Sequence, residues 1–409
     1  MMKLSFNSFK LLIIFLSLVG FPIVGVVSQI LNIESYTLSV MLRACVGGVS
    51  LILLFFYIKY LKVISKNILL IFIFIFIFIY SIRIIVDTIF LTPPLLHEPS
   101  YYWVWFYGAC FLPFLIIVFS DNLKFLDSKV ELYLYIAFYL VTFFSIVYGS
   151  SYVESSFNED VYNSGRFRLS SINPISLGHI GVVLFSLSYF YLDFTKKKFY
   201  NLIYISGILL GFYLIILANS RGPLLALLFI FIFLTIRKYK YYYLVLPVFL
   251  FLAFSLFLYF ISFISNEYDI QTLNRIYGDD AVKNSLQDDR LTLYKNAFDG
   301  FFSHPIFGSG LEEYKFGFYP HNIYLESFMS TGFFGGIFFT ITGFLVFLKS
   351  LTFDYRYLWI SIFFIDNFIS GFFSGAIYSS GYYWVSLGLC LVVIVYTKRN
   401  FLINKRNFL

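Results

Sequence analysis

Charge is scarce in this chain. Only 12% of its 409 residues are Asp, Glu, Lys or Arg, about half the share in an ordinary soluble domain. In contrast, 60% are hydrophobic and the mean hydropathy is +0.84. A soluble protein of this size must face water with a charged surface, so a water-soluble globule is excluded, as are a disordered chain and a nucleic-acid module. Cysteine is nearly absent. Cys45, Cys110 and Cys390 all lie inside apolar runs, which excludes a disulfide framework and a C-x-x-C metal site. No Walker loop, G-x-S-x-G elbow or H-E-x-x-H helix occurs, so the chemistries tied to those motifs are not expected. His97-Glu98 and Asp288-Asp289 lack the ligand number of a dedicated cation site, and neither a metal nor a cofactor is expected.

What is abundant is apolar sequence, rich in aromatics: 56 Phe, 35 Tyr and 4 Trp. Crossing a bilayer as a helix takes about 17–25 apolar residues. Stretches of that kind fall near 11–31, 37–57, 68–90, 101–119, 131–149, 173–193, 200–218, 222–236, 242–264, 321–348, 357–374 and 381–397. The runs are continuous and do not alternate, which excludes a β-barrel. The expected fold is all-α and polytopic, with about 12 transmembrane helices. Lys3 and Lys10 precede the first run like a signal sequence, but no A-x-A site follows, so a retained span is expected.

Lysine and arginine set the orientation. With both termini cytoplasmic, 19 of the 29 basic residues fall on that side, while the short outward loops hold only Arg166, Arg168 and Arg221. The net charge of +7 is thus a topology signal. The chain divides into N-terminal helices (1–150), central helices with a first outer loop (151–265), a large outer loop (266–320) and C-terminal helices (321–409). The large loop has nine acidic residues against five basic ones. Within it, Asp288-Asp289 can cap an amphipathic helix with apolar Leu291, Tyr294, Phe298 and Phe301, expected to lie on the outer membrane face. His304-Pro305 would end that helix and Gly308-Ser309-Gly310 would turn the chain back.

Charges inside spans are costly and need a partner or a polar cavity. Arg43, Arg83, Asp87, Asp366 and Asn367 all sit in outer halves of spans, which points to an outward-facing polar cavity. For Arg83 and Asp87 an i, i+4 ion pair is the plainer reading, and for Arg43 snorkelling competes with function. Arg221 stands at a very short outer turn against the charge bias. A guanidinium there is an interfacial anchor or an anion ligand, since it is planar, always charged and bidentate toward phosphate. Arg168 and Arg290 lie on the same side, and several arginines converging would clamp a diphosphate. Tyr319-Pro320-His321-Asn322 is the strongest single feature. Pro320 suits a first helical turn, placing His321 at the outward N-terminus of an inward-running span, either as a cap or as a general base. Gly332, Gly335 and Gly336 would give that span small faces for helix packing.

These residues resemble those of the O-antigen ligase/polymerase superfamily. The resemblance rests on Leu217-Ala218-Asn219-Ser220-Arg221-Gly222, then Arg290, then His304 to Gly310, then Pro320-His321-Asn322. His321-Asn322 with Gly332 and Gly335 fits an H-N-x9-G-x-x-G pattern, and the likeness covers roughly 215–345. Arg168 to Pro174 is similar to the R-x-x-G-x-x-N-P stretch that often precedes it, with Ser171 in place of Gly. The resemblance implies a GT-C-like fold in a bacterial inner membrane, acting at the periplasmic face on glycans carried by undecaprenyl diphosphate, without metal or nucleotide sugar. It implies that Arg221 and Arg290 hold the diphosphate and that His321 deprotonates or orients the attacking hydroxyl, with inversion. Arg168, Asn322, Tyr319, Arg83 and Arg43 are the further substrate-binding candidates. A chain-length regulator and a flippase are the protein partners it admits, with no nucleic acid.

Two activities compete within that family. A Wzy-type polymerase moves the growing chain onto the next lipid-linked repeat unit, and an O-antigen ligase moves it onto lipid A-core. The pattern around His321 tilts toward ligase. The acidic outer loop, with Tyr268, Tyr277, Tyr294, Tyr314 and Tyr319 for stacking on sugars and no basic cluster for a phosphorylated core, tilts toward polymerase, which is the reading adopted. A lipid-linked-sugar flippase is the third reading. It needs a cavity open to both faces, whereas the intramembrane charges here gather on one.

Overall fold

A computed structural model describes the chain except for residues 1–5, 34, 58–66, 92, 120–122, 124–125, 127, 151–166, 170–171, 193–197, 239–288 and 408–409. The described residues are helical, with two isolated β-bridges, Ser150 with Arg168 and Leu169 with Ile172. Continuous apolar runs leave the backbone no partner but itself, and the helix is the form that satisfies it within one segment.

Among the described residues, eight helices are long and apolar enough to cross a membrane: α1 (Ser8–Leu31), α2 (Thr37–Phe55), α3 (Ile68–Leu91), α4 (Pro99–Val118), α5 (Val130–Tyr148), α6 (Pro174–Tyr191), α7 (Lys198–Ala218) and α10 (Ile323–Ser350). Between the last two come α8 (Arg221–Lys238) and α9 (Asp289–Ser303), and α11 (Leu358–Ser370) and α12 (Gly381–Asn407) complete the chain. The structure therefore supports a multi-pass membrane protein, with eight such helices among the described residues where twelve spans are expected over the whole chain. The expected spans at 222–236, 357–374 and 381–397 do fall on helices, but α8 carries three charges in 18 residues and α11 has only 13. The span expected at 242–264 lies outside the described residues.

The bundle is held at its centre by α6, α11 and α12, where Trp359 and Trp384 are fully buried. α6 and α7 touch backbone to backbone. A Cβ on Gly181 would stand 2.6 Å from the carbonyl oxygen of Gly211, and one on Gly211 2.7 Å from that of Gly181. At one end Gly178 meets Pro223, so the start of α6 abuts the start of α8. At the other end Arg237 donates to the carbonyl of Phe353 and Tyr355 to that of Arg237.

The helix after His321 departs from expectation. α10 is broken at Gly332, with φ 68° and ψ −165°, a conformation essentially reserved for glycine. A Cβ there would also stand 2.2 Å from the carbonyl oxygen of Ile306. Beyond the break the chain folds back on itself. Phe328 lies against Gly336, and Tyr324 against Phe339 and Gly343. Ile323 to Thr331 is thus the short arm of a helical hairpin and Phe333 to Ser350 the long arm. An unbroken 28-residue helix would run about 42 Å, well beyond a hydrocarbon core of about 30 Å, whereas the 18-residue long arm runs about 27 Å. Gly332 makes the fold-back and Gly335 and Gly336 let its two arms pack closely, while backbone approaches between other helices include Gly181 with Gly211 and Gly47 with Gly108. His321 accordingly stands at the foot of the short arm, about 13 Å below the bend, and does not head an inward-running span.

The bend is sealed from above. Phe333 N–H donates to Pro305 and Ser309 N–H to Met329, both at 2.7 Å. α9 ends at Ser303, before His304-Pro305, and Gly308 turns the chain, as its sequence predicts. Its packing register differs from the expected one. Leu293 and Ala297 are buried, Ala297 packing with Leu325 and Met329 of the short arm, while Leu291 and Phe298 remain half exposed. Of the expected positions, Tyr294 packs beside this cluster and Phe301 against Phe328, so the packed face overlaps the expected one and is shifted toward Ala297 and Gly300.

Candidate functional site

The turn after α11, residues 371–375, gathers the site. Ile323 N–H, at the foot of the short arm, donates to Gly371 O at 2.9 Å. Arg290, at the start of α9, donates from Nη1 to Phe373 O at 3.4 Å, and the Tyr294 hydroxyl to Phe372 O at 3.4 Å. A Cβ on Gly222, beside Arg221 at the start of α8, would come within 3.9 Å of Phe373 Cβ. Three segments far apart in sequence therefore deliver the Arg221 region, Arg290 and the His321 segment to one turn.

His321 is held in the left-handed region at φ 53°, uncommon for a residue other than glycine, though histidine, asparagine and aspartate enter it more readily than most. Its ring packs edge-on to Tyr319 at 4.5 Å between centroids and near Phe318 at 5.8 Å. Its Nδ1 is buried with no hydrogen-bond partner among the described residues. Burial, and then the positive charge of Arg290, push the imidazole down to about 4 from its usual 6.5, so the ring is neutral near pH 7. Asn219, the residue that ends α7 just before Ser220-Arg221, is also left-handed, at φ 46°.

A helix N-terminus attracts anions through free N–H groups and the dipole. Here the N–H groups are taken. Ile323 N–H goes to Gly371, the Asn322 side chain accepts from Tyr324 and Leu325, and the Asn322 carbonyl accepts from Glu326. Asn322 therefore acts as the N-cap of the short arm, and any strong grip on an anion at this turn falls to guanidinium groups.

Arg83 is engaged within the protein. Its Nη1 pairs with Asp87 at 3.1 Å, Nε donates to Ser330 O at 2.9 Å, and Nη2 donates to Phe307 O at 2.6 Å and Gly308 O at 2.8 Å. Asp87 in turn accepts from Leu311 N–H at 2.7 Å. The pair pins α3 to the hairpin bend and to the segment above it. Arg168 pairs by its backbone with Ser150, closing the neck of the first loop, and Asn173-Pro174 opens α6 with the Asn173 side chain accepting from Ser176 N–H at 2.8 Å. Arg43 lies flat on Trp105, 3.2 Å from the ring centroid, and bonds Ser39.

Arg43 and Tyr319 also line a cavity of about 350 Å³ enclosed by α1, α2, α4, α6, α11 and the turn that follows α11. The sequence placed Asp366 and Asn367 near such a cavity, and both line it. Sequence reasoning missed His179. Its Nδ1 stands 2.7 Å from Asp366 Oδ1, and it too lines the cavity. The available signal was the acid itself, since an intramembrane carboxylate calls for a partner.

Above the site two acids are absorbed by structure. Glu326 accepts from Ile377 N–H and the Tyr80 hydroxyl, and Glu312 from Leu96 N–H and the Tyr378 hydroxyl. Burial raises the Glu312 carboxyl to about 7. Among the described residues no three His, Cys, Asp or Glu side chains come together as a metal would require.

Residues 206–340 match the family described as O-antigen ligase. Over that third of its length the chain is similar to the O-antigen ligase/polymerase superfamily. The match runs from within α7 to the start of the long arm of the hairpin, nearly the stretch on which the resemblance in sequence rests. The matched stretch contains Arg221, Arg290 and His321, while Arg43, His179 and Asp366 lie outside it. No curated protein matches the chain.

Proposed function

We propose that this protein is a membrane glycosyltransferase of the polymerase type. It moves a growing glycan from undecaprenyl diphosphate onto the next lipid-linked repeat unit at the periplasmic face of a bacterial inner membrane, with both termini cytoplasmic. The observation that carries the reading is the convergence on one turn of the segment bearing a neutral His321, Arg290 and the Arg221 segment. The acceptor hydroxyl attacks the anomeric carbon from the side opposite the diphosphate, and the glycosidic oxygen–carbon bond to the diphosphate breaks. The hydroxyl proton passes to His321, and the diphosphate leaves against Arg221 and Arg290, with inversion. Fixed cations in a site of low dielectric stabilise charge on a leaving group more than water does, because they need not reorganise. Neither a metal nor a nucleotide sugar enters this scheme.

Arg290 has a second consequence. Burial is the larger cause of the weakened basicity of His321 and the charge of Arg290 the smaller, and a bound diphosphate offsets the arginine's part. Donor binding therefore raises the proton affinity of the base.

A second reading, transfer to lipid A-core, is favoured by the family description and by the spacing of His321, Gly332 and Gly335. The purified protein, reconstituted with a lipid-linked repeat unit, separates the two. A ladder of longer lipid-linked products without lipid A-core, abolished by His321→Ala, is the expected outcome. Product formed only when lipid A-core is added would make the protein a ligase, and absence of both would move the reading to a flippase.

A further inference from the structure

At the end of the bundle away from the 371–375 turn lies a second cavity, of about 190 Å³. It sits between the last turns of α6 and α8 and the turn that leads into α11. Half-buried Arg237 and Lys238 line it together with buried Phe190, Leu234 and Leu358. The transfer scheme uses none of these residues.

Cations at such a place have two ordinary causes. They set topology, and the last turn of a helix favours them through its dipole. A cation present for those reasons alone extends its head into water. These two turn onto rings that line the cavity instead. The Arg237 guanidinium donates to Phe353 O and stands 5.5 Å from the centre of the Tyr355 ring, and the Lys238 ammonium stands 4.9 Å from that of Tyr189. The rings are held in turn. Tyr355 donates to Arg237 O at 3.0 Å, and the Tyr189 hydroxyl pairs with Thr235 Oγ1 at 3.2 Å. Two positive charges are thus ordered at one small opening, which spares a ligand the cost of ordering them. Among the described residues the lining holds no carboxylate. Asp354, the acid in the adjoining turn, is exposed and lies outside it.

Paired cations beside apolar side chains, at the level where helices end, fit an amphiphile with an anionic head. Its phosphate meets the cations and its hydrocarbon continues along the helices, as anionic headgroups do in basic pockets between spans. Arginine supplies a fork for two phosphate oxygens and lysine a compact charge.

We propose that this cavity binds the phosphate of an anionic phospholipid, with Arg237 and Lys238 as its ligands and Tyr189 and Tyr355 as their supports. The bound lipid ties the ends of α6 and α8 to the turn before α11. With both termini cytoplasmic, it belongs to the cytoplasmic leaflet. The inference does not rest on the transfer reading, so binding is measured without turnover.

The full-length protein, stripped of lipid in detergent, is titrated separately with phosphatidylglycerol, phosphatidylcholine and inorganic phosphate, and bound ligand is counted by native mass spectrometry. Each basic residue near an anionic lipid contributes about fivefold to its binding, so Arg237→Gln/Lys238→Gln should weaken phosphatidylglycerol roughly thirtyfold and abolish its advantage over phosphatidylcholine. Lys349→Gln/Arg356→Gln removes two exposed cations outside the lining and should bind as the wild type does. Should Arg237→Gln fail to fold for want of its bond to Phe353, Lys238→Glu carries the test, with a loss of at least about fivefold expected. An unmoved Kd in the double variant would overturn the site, and an equal loss in the control pair would reduce it to general surface charge. Inorganic phosphate that displaces the lipid would overturn the lipid assignment in favour of a soluble phosphate.

Discussion

His321 combines three properties that rarely coincide by accident: a left-handed backbone, a buried ring atom without a partner, and basicity reduced by burial and by Arg290. Their pH consequence is specific. With a folded value near 4 against 6.5 unfolded, the unfolded chain takes up a proton that the native protein refuses. Stability from this group is full above about pH 6.5 and declines as the pH falls toward 4, and His321→Gln should flatten that slope in thermal melts. The acid limb of kcat/KM should sit near pH 4, and that of kcat higher, because the donor's charge offsets Arg290. Coincident limbs would argue against the arginine being the donor's ligand. His321, Arg221 and Arg290 were legible in the sequence because each stands out against an apolar or charge-biased background. His179 was not, since a lone histidine on an apolar helix is ordinary and its partner lies 187 residues away.

At the scale of elements, hydropathy revealed the spans because lipid imposes length and apolarity on any helix that crosses it. It hid the hairpin, because Ser330-Thr331 before Gly332 are too mildly polar to break the apolar run over 321–348 and mark a reversal. The sign of one φ angle decides between a straight span and a fold-back. The Arg83–Asp87 ion pair shows the converse. Its i, i+4 spacing was visible, whereas the three carbonyls that Arg83 also serves belong to segments more than 220 residues on. Arg83→Met would leave the Asp87 carboxylate, only 1% exposed, without its cation, and the bend without its clasp. The expected loss is about 3–5 kcal/mol, read as a lowered Tm in detergent. Lysine should recover only part of it, since one ammonium cannot reproduce a fork that reaches four oxygens.

For the whole molecule, the Gly181–Gly211 contact is the hinge pin between the helix that carries His179 and the helix that leads to Arg221. Gly211→Val would drive side chain into the Gly181 carbonyl and into Phe185, both within 3.1 Å of the nearest added carbon. The two walls of the site would then separate, and transfer should fall together with Tm. A variant with unchanged Tm and full activity would show that α6 and α7 are free to move apart.

The way α9 is mounted has a last consequence. It rests through Ala297 on Leu325 and Met329 of the short arm, so Arg290 and His321 share one small core. The short arm and α9 also both meet the 371–375 turn, through Ile323 and Arg290. Bilayers differ in thickness, and helices adjust to them by tilting. A clamp and a base borne on separate spanning helices would drift apart with each change of tilt. Mounted together on a re-entrant arm, they keep their spacing, and the protein carries its own ruler into membranes of different thickness.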